Sequence, residues 1–306
     1  MCLVSANGLS AQPEDWQQAL QQAQAYLEAG KTKKALHAFE LQADKGNGLA
    51  QFNLALFHQN GWGDVADPQV ACHWYAKAAN NNIPAAQYET ARCILNETDS
   101  PDQVDAALKW YLRAFENQIY KAGCEAGKLL LTQQVDKKTL RQGVTLCLDA
   151  AEKGSIDAAL QVANWYRDGQ YLSQSYLSAM HFYALAAPEK QPSAAFQMAR
   201  ILDMGLDVET DIRQAAYWYE VAASQGYEQA YLPVAALYWK LTQDAHSDQA
   251  HLLAKAYLWA KTAKQRSSDE VRDVAEKLLV QVSDVIPMAW IEELDKKVVS
   301  HIHAFH

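Results

Sequence analysis

The sequence predicts an all-α chain built as a solenoid of antiparallel helix pairs, and three observations carry that prediction. Alanine recurs at a fixed interval of 36 residues, at Ala50, Ala86, Ala122, Ala158, Ala194 and Ala230. Bulky residues keep the same register, as Trp74, Trp110, Leu146, Phe182 and Trp218, each followed by Tyr75, Tyr111, Cys147, Tyr183 and Tyr219. Half of the 306 residues are apolar and only 21% are charged, which excludes a disordered chain. A repeat of this length buries its apolar face by stacking on its neighbours, so one closed core is not required.

Residues 1–13 read as a flexible N-terminus or the remnant of a signal peptide, because they end in small residues yet lack a basic start and a long apolar stretch. A cytoplasmic protein is the expectation; a periplasmic or exported one is the alternative if residues 1–11 are such a remnant. Residues 14–266 hold the tandem repeats, about seven helix pairs, and the first pair is abbreviated, marked by Ala19, Ala35 and Gly46.

Within the next unit the spacing gives the helices. Ala71, Trp74, Tyr75, Ala78 and Ala79 fall on one helical face, at i, i+3, i+4, i+7 and i+8. That is the second helix of a pair. The first carries Ala50, Leu54, Ala55 and His58 and halts at Gly61-Trp62-Gly63, where glycine accepts the positive φ that closes a helix. Asp67-Pro68 then restarts the chain as an N-cap followed by proline, and Asp211 repeats the cap later. Further small columns run through Ala55, Ala91, Gly127, Ala163, Ala199 and Ala235, and through Ala35, Ala71, Ala107, Gly143, Ala179 and Ala215. They predict close approach of helix axes.

The stretch Ala50-Gln51-Phe52-Asn53-Leu54-Ala55-Leu56-Phe57-His58-Gln59-Asn60-Gly61-Trp62-Gly63, with Asp67, Ala71, Trp74-Tyr75 and Lys77-Ala78-Ala79, resembles the Sel-1-like repeat family, a relative of the tetratricopeptide repeat. The unit from Ala194 to Gly226 is similar to the same pattern. The resemblance implies a right-handed α/α superhelix whose first helices line a concave groove. It also implies a non-enzymatic scaffold that binds a partner protein, often in bacteria.

Departures from the pattern mark the middle units. Glu97 stands where Gly61 does, and Leu146-Cys147 replaces the aromatic pair. The unit from Ala230 gains residues around Thr242 to Asp248, and Pro233 suggests a bend in its first helix. Residues 267–306 read as capping helices and a tail that leave the repeat.

Little in the chain points to chemistry. No phosphate loop, nucleophile elbow or metalloprotease motif is present, and His246, His251, His301, His303 and His306 lack ligand spacing, so no enzyme, cofactor or metal is expected. The five cysteines show no CxxC pair, so Cys93, Cys124 and Cys147, at positions other units fill with apolar residues, are expected to be buried and reduced. A net charge of −9 argues against nucleic acid or an anionic membrane as partner, and no apolar run would span a bilayer.

One asymmetry remains on the first helices. The column Leu56, Arg92, Lys128, Asn164, Arg200 and Ala236, with Arg167 three residues beyond Asn164, forms a basic strip in an acidic protein. Phe52, Tyr88 and Phe196 lie four residues earlier on the same face. Arg92, Lys128, Arg167 and Arg200, with Phe52, Tyr88 and Phe196, are therefore the candidate contacts for a protein or peptide partner with an acidic segment. The bland alternative is that long basic stems cover apolar helix while their charges stay solvated. Two other readings stay open: a structural or assembly subunit of a bacterial envelope or motor complex, and an enzyme or small-molecule binder. Partner identity and oligomeric state are not legible in the sequence.

Overall fold

A computed structural model describes residues 15–97, 100–133, 136–187, 191–244 and 249–305, the side chains of residues 15, 19, 97 and 244 excepted. The readings of residues 1–13, Cys2, His246 and His306 therefore lie outside the described residues.

All regular structure among the described residues is helical. Two short helices, α1 (Asp15–Ala19) and α2 (Gln21–Glu28), precede α3 (Thr32–Asp44). Consecutive pairs follow: α4 (Gly48–Asn60) with α5 (Pro68–Asn80), α6 (Pro84–Glu97) with α7 (Pro101–Glu116), and α8 (Lys121–Gln133) with α9 (Lys137–Glu152). Next come α10 (Ile156–Asp168) with α11 (Tyr176–Ala186), α12 (Pro192–Met204) with α13 (Ile212–Ser224), and α14 (Tyr231–Asp244) with α15 (Gln249–Arg266). The chain ends in α16 (Asp269–Ser283) and α17 (Met288–Ala304). Two compact units are formed, residues 1–155 and 156–306, and each has the all-α solenoid pattern of helix packed on next helix.

Local chemistry sets the helix ends. Gly61 and Gly205 close α4 and α12 in the left-handed conformation, at φ 65° and 67°. Asp67 accepts from the backbone N–H groups of Gln69 and Val70, and Asp211 from those of Arg213 and Gln214, satisfying donors that a helix start leaves free. Pro233 does not bend a helix. The chain enters through a 3₁₀ turn at Glu228–Ala230, and proline falls in the first turn of α14, where no N–H is needed.

The small columns are the contacts between helices. Ala50, Ala55, Ala86, Ala91, Ala163, Ala194, Ala199 and Ala235 are fully buried. Beside them Phe52 packs on Tyr75 with ring centroids 5.7 Å apart, Tyr88 on Tyr111 at 5.5 Å, and Phe196 on Tyr219 at 5.4 Å. A polar stitch repeats in the same register: Asn81 donates to the buried Gln51 at 2.8 Å, and Asn117 to the buried Gln87 at 3.0 Å.

The expectation of reduced cysteines is overturned. Cys72 on α5 is bonded to Cys93 on α6, and Cys124 on α8 to Cys147 on α9. The second bond has a simple origin. Cys124 and Cys147 occupy the two positions that Phe52 and Tyr75, or Phe196 and Tyr219, fill elsewhere, and those columns face each other. Each column taken alone contains only one of the two thiols. Here α8 and α9 lie so close that the cysteine Cα atoms are 4.0 Å apart, and glycine stands on both sides of the crossing. A Cβ on Gly143 would sit 2.7 Å from the Gly127 carbonyl oxygen, and one on Gly127 would run into the Gly143 carbonyl.

Two outcomes follow for stability. Gly127→Leu should lower stability by about 1–3 kcal/mol or more through overpacking, read from the denaturation midpoint, while Ala66→Leu in an exposed loop should leave it unchanged. Replacing Cys124 and Cys147 together with alanine should cost about 3 kcal/mol, since the bond closes a loop of 23 residues in the unfolded chain. Alkylation of the native protein followed by mass spectrometry should find Cys72, Cys93, Cys124 and Cys147 protected.

Candidate protein-interaction surface

In residues 1–155, Arg92 and Lys128 are solvent-facing, but neither charge is free. Arg92 Nη1 lies 2.8 Å from Glu89 Oε2, and Lys128 Nζ lies 3.0 Å from Glu125 Oε1. Each acid precedes its base by three residues, one turn back on the same helix. The strip is thus zwitterionic rather than basic. Tyr88, half-buried, packs on Tyr111, with Lys121 Nζ 4.0 Å from its ring centroid.

Phe52 and Phe196 are core residues, which corrects their assignment as surface contacts. They are only 5% and 8% exposed, because their rings fill the space against Tyr75 and against Tyr219 and Tyr227. Beneath the strip lies the hydroxyl end of the partner tyrosine, itself buried. Tyr75 donates to Gln59, and burial pushes its pKa up, with Glu89 adding to the rise and Arg92 opposing it. Tyr111 is raised in the same way by burial, Tyr88 and Glu125. These tyrosines read in the sequence as core, and they are buried; only their hydroxyl ends border the charged columns.

In residues 156–306, Arg167 makes a two-pronged pair with Asp168, both contacts 2.7 Å, and donates to the Tyr183 hydroxyl at 3.1 Å. Tyr183 in turn donates to Asn164 at 2.7 Å. The hydrogen bond to Asp168 raises the Arg167 pKa, and Arg167 holds the Asp168 carboxyl below its ordinary value. Arg200 donates to Gln197 at 3.3 Å and stands near both Tyr183 and Tyr219. Pairing of this kind leaves a patterned polar surface over buried tyrosines. Among the described residues no His, Cys, Asp and Glu cluster could hold a metal ion, and no helix is long and apolar enough to cross a membrane.

The Sel1 repeat family model matches residues 48–83, 84–118, 156–187 and 192–227. The chain is a Sel1-repeat protein. Its matches skip the pair α8–α9, where the disulfide and facing glycines replace the aromatic pair. Among solved structures, a Sel1 repeat protein from Oxalobacter formigenes is similar at 24% identity and a TM-score of 0.62, over 81% of this chain and 100% of that one. The protective antigen c5321 of uropathogenic Escherichia coli, which displays the same repeat fold, is similar at 18% identity and a TM-score of 0.68. That match covers 95% of this chain and 62% of c5321. Both show the fold. A search of curated proteins finds no match. Sel1-repeat proteins are generally protein-interaction scaffolds.

Burial pushes the Tyr183 hydroxyl from 10.0 up to about 12, with Arg167 opposing the rise. A raised tyrosine pKa stabilises the fold fully below the unfolded value, and that contribution is lost as pH climbs from there through the folded value. Stability should therefore fall between about pH 10 and 12, and Tyr183→Phe should flatten that decline in a pH series of denaturation midpoints.

Proposed function

We propose that this Sel1-repeat protein is a non-enzymatic scaffold that holds a segment of a partner protein on the first-helix faces of its repeats. The observation that carries the proposal is the recurrence of paired cations on the first helices, Glu89–Arg92 and Glu125–Lys128 in one unit and Arg167–Asp168 and Arg200–Gln197 in the other. A partner carboxylate can take over Arg92, Lys128 or Arg200 only by competing with Glu89, Glu125 or Gln197. The segment that fits best is mixed, acidic residues interleaved with apolar or basic ones, with Tyr88 as the apolar contact in place of the buried Phe52 and Phe196. Such exposed pairs contribute about 0–1 kcal/mol each, so the charges set register and association rate more than affinity.

The two disulfides favour the exported, periplasmic alternative, because structural disulfides persist in oxidising compartments. The scaffold reading is tested with a partner captured by pull-down. Arg92→Glu combined with Arg200→Glu should slow its association and reduce the salt dependence, whereas reversing Lys33 and Lys34 should not. A folded groove variant that binds with unchanged rate and salt response removes the strip from the interface.

A further inference from the structure

We infer that copies of this chain associate end to end: an open side of α16 in one copy seats in the basic groove between α2 and α3 of the next.

The C-terminal helices leave a face uncovered. Helix α16 packs on α15 and touches α14, whereas α17 packs on α15 rather than on α16. Ala275 and Val282 are the fully covered side of α16. Val274, by contrast, is 52% exposed, and the half-buried Leu278 follows one turn on. Val285, 55% exposed, continues the same line in the turn that ends the helix. Residues at i, i+4 and i+11 share one side of a helix, so the three form an apolar ridge. Carboxylates border it. Glu270, Asp273 and Asp284 are exposed and, among the described residues, close no ion pair, whereas Asp269 is held by Arg272 and Glu276 by Lys264. Lys277 is the one unpaired cation of α16 among the described residues.

The first helices present the counterpart. Between α2 and α3 runs an open groove of about 410 Å³, lined by Tyr26, Lys33, Lys34, His37, Ala38 and Leu41. Tyr26, Ala38 and the 50% exposed Leu41 are its apolar part. Lys33 and Lys34 are exposed and close no ion pair among the described residues; Lys34 Nζ stands 6.0 Å from the Tyr26 ring centroid. Glu40, the acid of this stretch of α3, lies 3.3 Å from His37.

Ridge and groove match in both shape and sign. One is apolar with unpaired carboxylates beside it, the other apolar with unpaired ammonium groups beside it. Glu270 to Leu278 and Lys33 to Leu41 each span eight residues, roughly 12 Å of helix. Glu270 and Asp273 can therefore meet Lys33 and Lys34 while Leu278 reaches Leu41. A net charge of −9 makes copies repel in general, and the lysines of the groove are where that repulsion reverses. Because ridge and groove are different surfaces, the contact is heterologous: each pairing leaves a free ridge on one copy and a free groove on the other.

Sedimentation velocity of the full-length protein over a concentration series checks this. At low ionic strength the wild type should associate reversibly, and its apparent dissociation constant should rise by about tenfold or more at about 0.5 M salt. A groove variant, Lys33→Glu with Lys34→Glu, should stay monomeric. So should a ridge variant, Glu270→Gln with Asp273→Asn and Val274→Asn. Mixed in equal amounts, the two should form a complex that stops at two copies, since the groove variant keeps its ridge and the ridge variant its groove. Circular dichroism checks that each variant is folded. A wild type that is monomeric at every concentration overturns the inference, as does association that both variants retain. Loss in the ridge variant without recovery on mixing means that α16 pairs with α16 symmetrically, and overturns it too. Arg92→Glu with Arg200→Glu should associate like the wild type, so failure here leaves the scaffold reading standing.

Discussion

Close contact between helix axes, permitted only where side chains stop at Cβ or are missing, governs this molecule. The 36-residue columns of alanine and glycine are those contacts, and residues such as Ala55, Ala91, Ala163 and Ala199 have no exposed surface. Packed helices settle where their ridges and grooves mesh, and a small residue at the crossing brings the axes to the near end of the usual spacing. Larger residues then occupy fixed places beside each crossing. The aromatic pairs Phe52–Tyr75, Tyr88–Tyr111 and Phe196–Tyr219 recur at nearly the same separation because the same crossing recurs beneath them. The buried glutamine stitches at Gln51 and Gln87 recur for the same reason.

The pair α8–α9 shows what happens when that constraint is pushed to its end. With glycine at both 127 and 143 the backbones meet, and Cα atoms 4.0 Å apart leave no room for two rings at the 5.4–5.7 Å spacing seen elsewhere. A disulfide fits that gap. It supplies covalently what the aromatic pair supplies by burial and dispersion.

Charge is distributed by the same geometry. On the first helices an acid one turn before each base neutralises Arg92 and Lys128, so an acidic protein displays an ordered but nearly balanced strip. On α5 and α7 a tryptophan stands one turn before the cation, and Lys77 and Arg113 lie on indole faces.

The sequence by itself determined the repeat length, the helix pairs, the caps at Asp67 and Asp211, the closing glycine Gly61 and the small-residue crossings, because each depends on spacing within one unit or on its exact recurrence. Tertiary structure decided what lies opposite what. Phe196 shares a helical face with Arg200, and Phe52 stands in the same column, yet the following helix covers both; Cys124 and Cys147 look solitary until their columns are laid face to face. Docking of α17 on α15, rather than on α16, is likewise invisible in the chain, since the Asp295–Lys261 contact joins residues 34 apart that obey no repeat. Periodicity fixes the direction in which a side chain leaves its own helix, while its burial, pairing and charge depend on a neighbour whose distance only the packed fold sets.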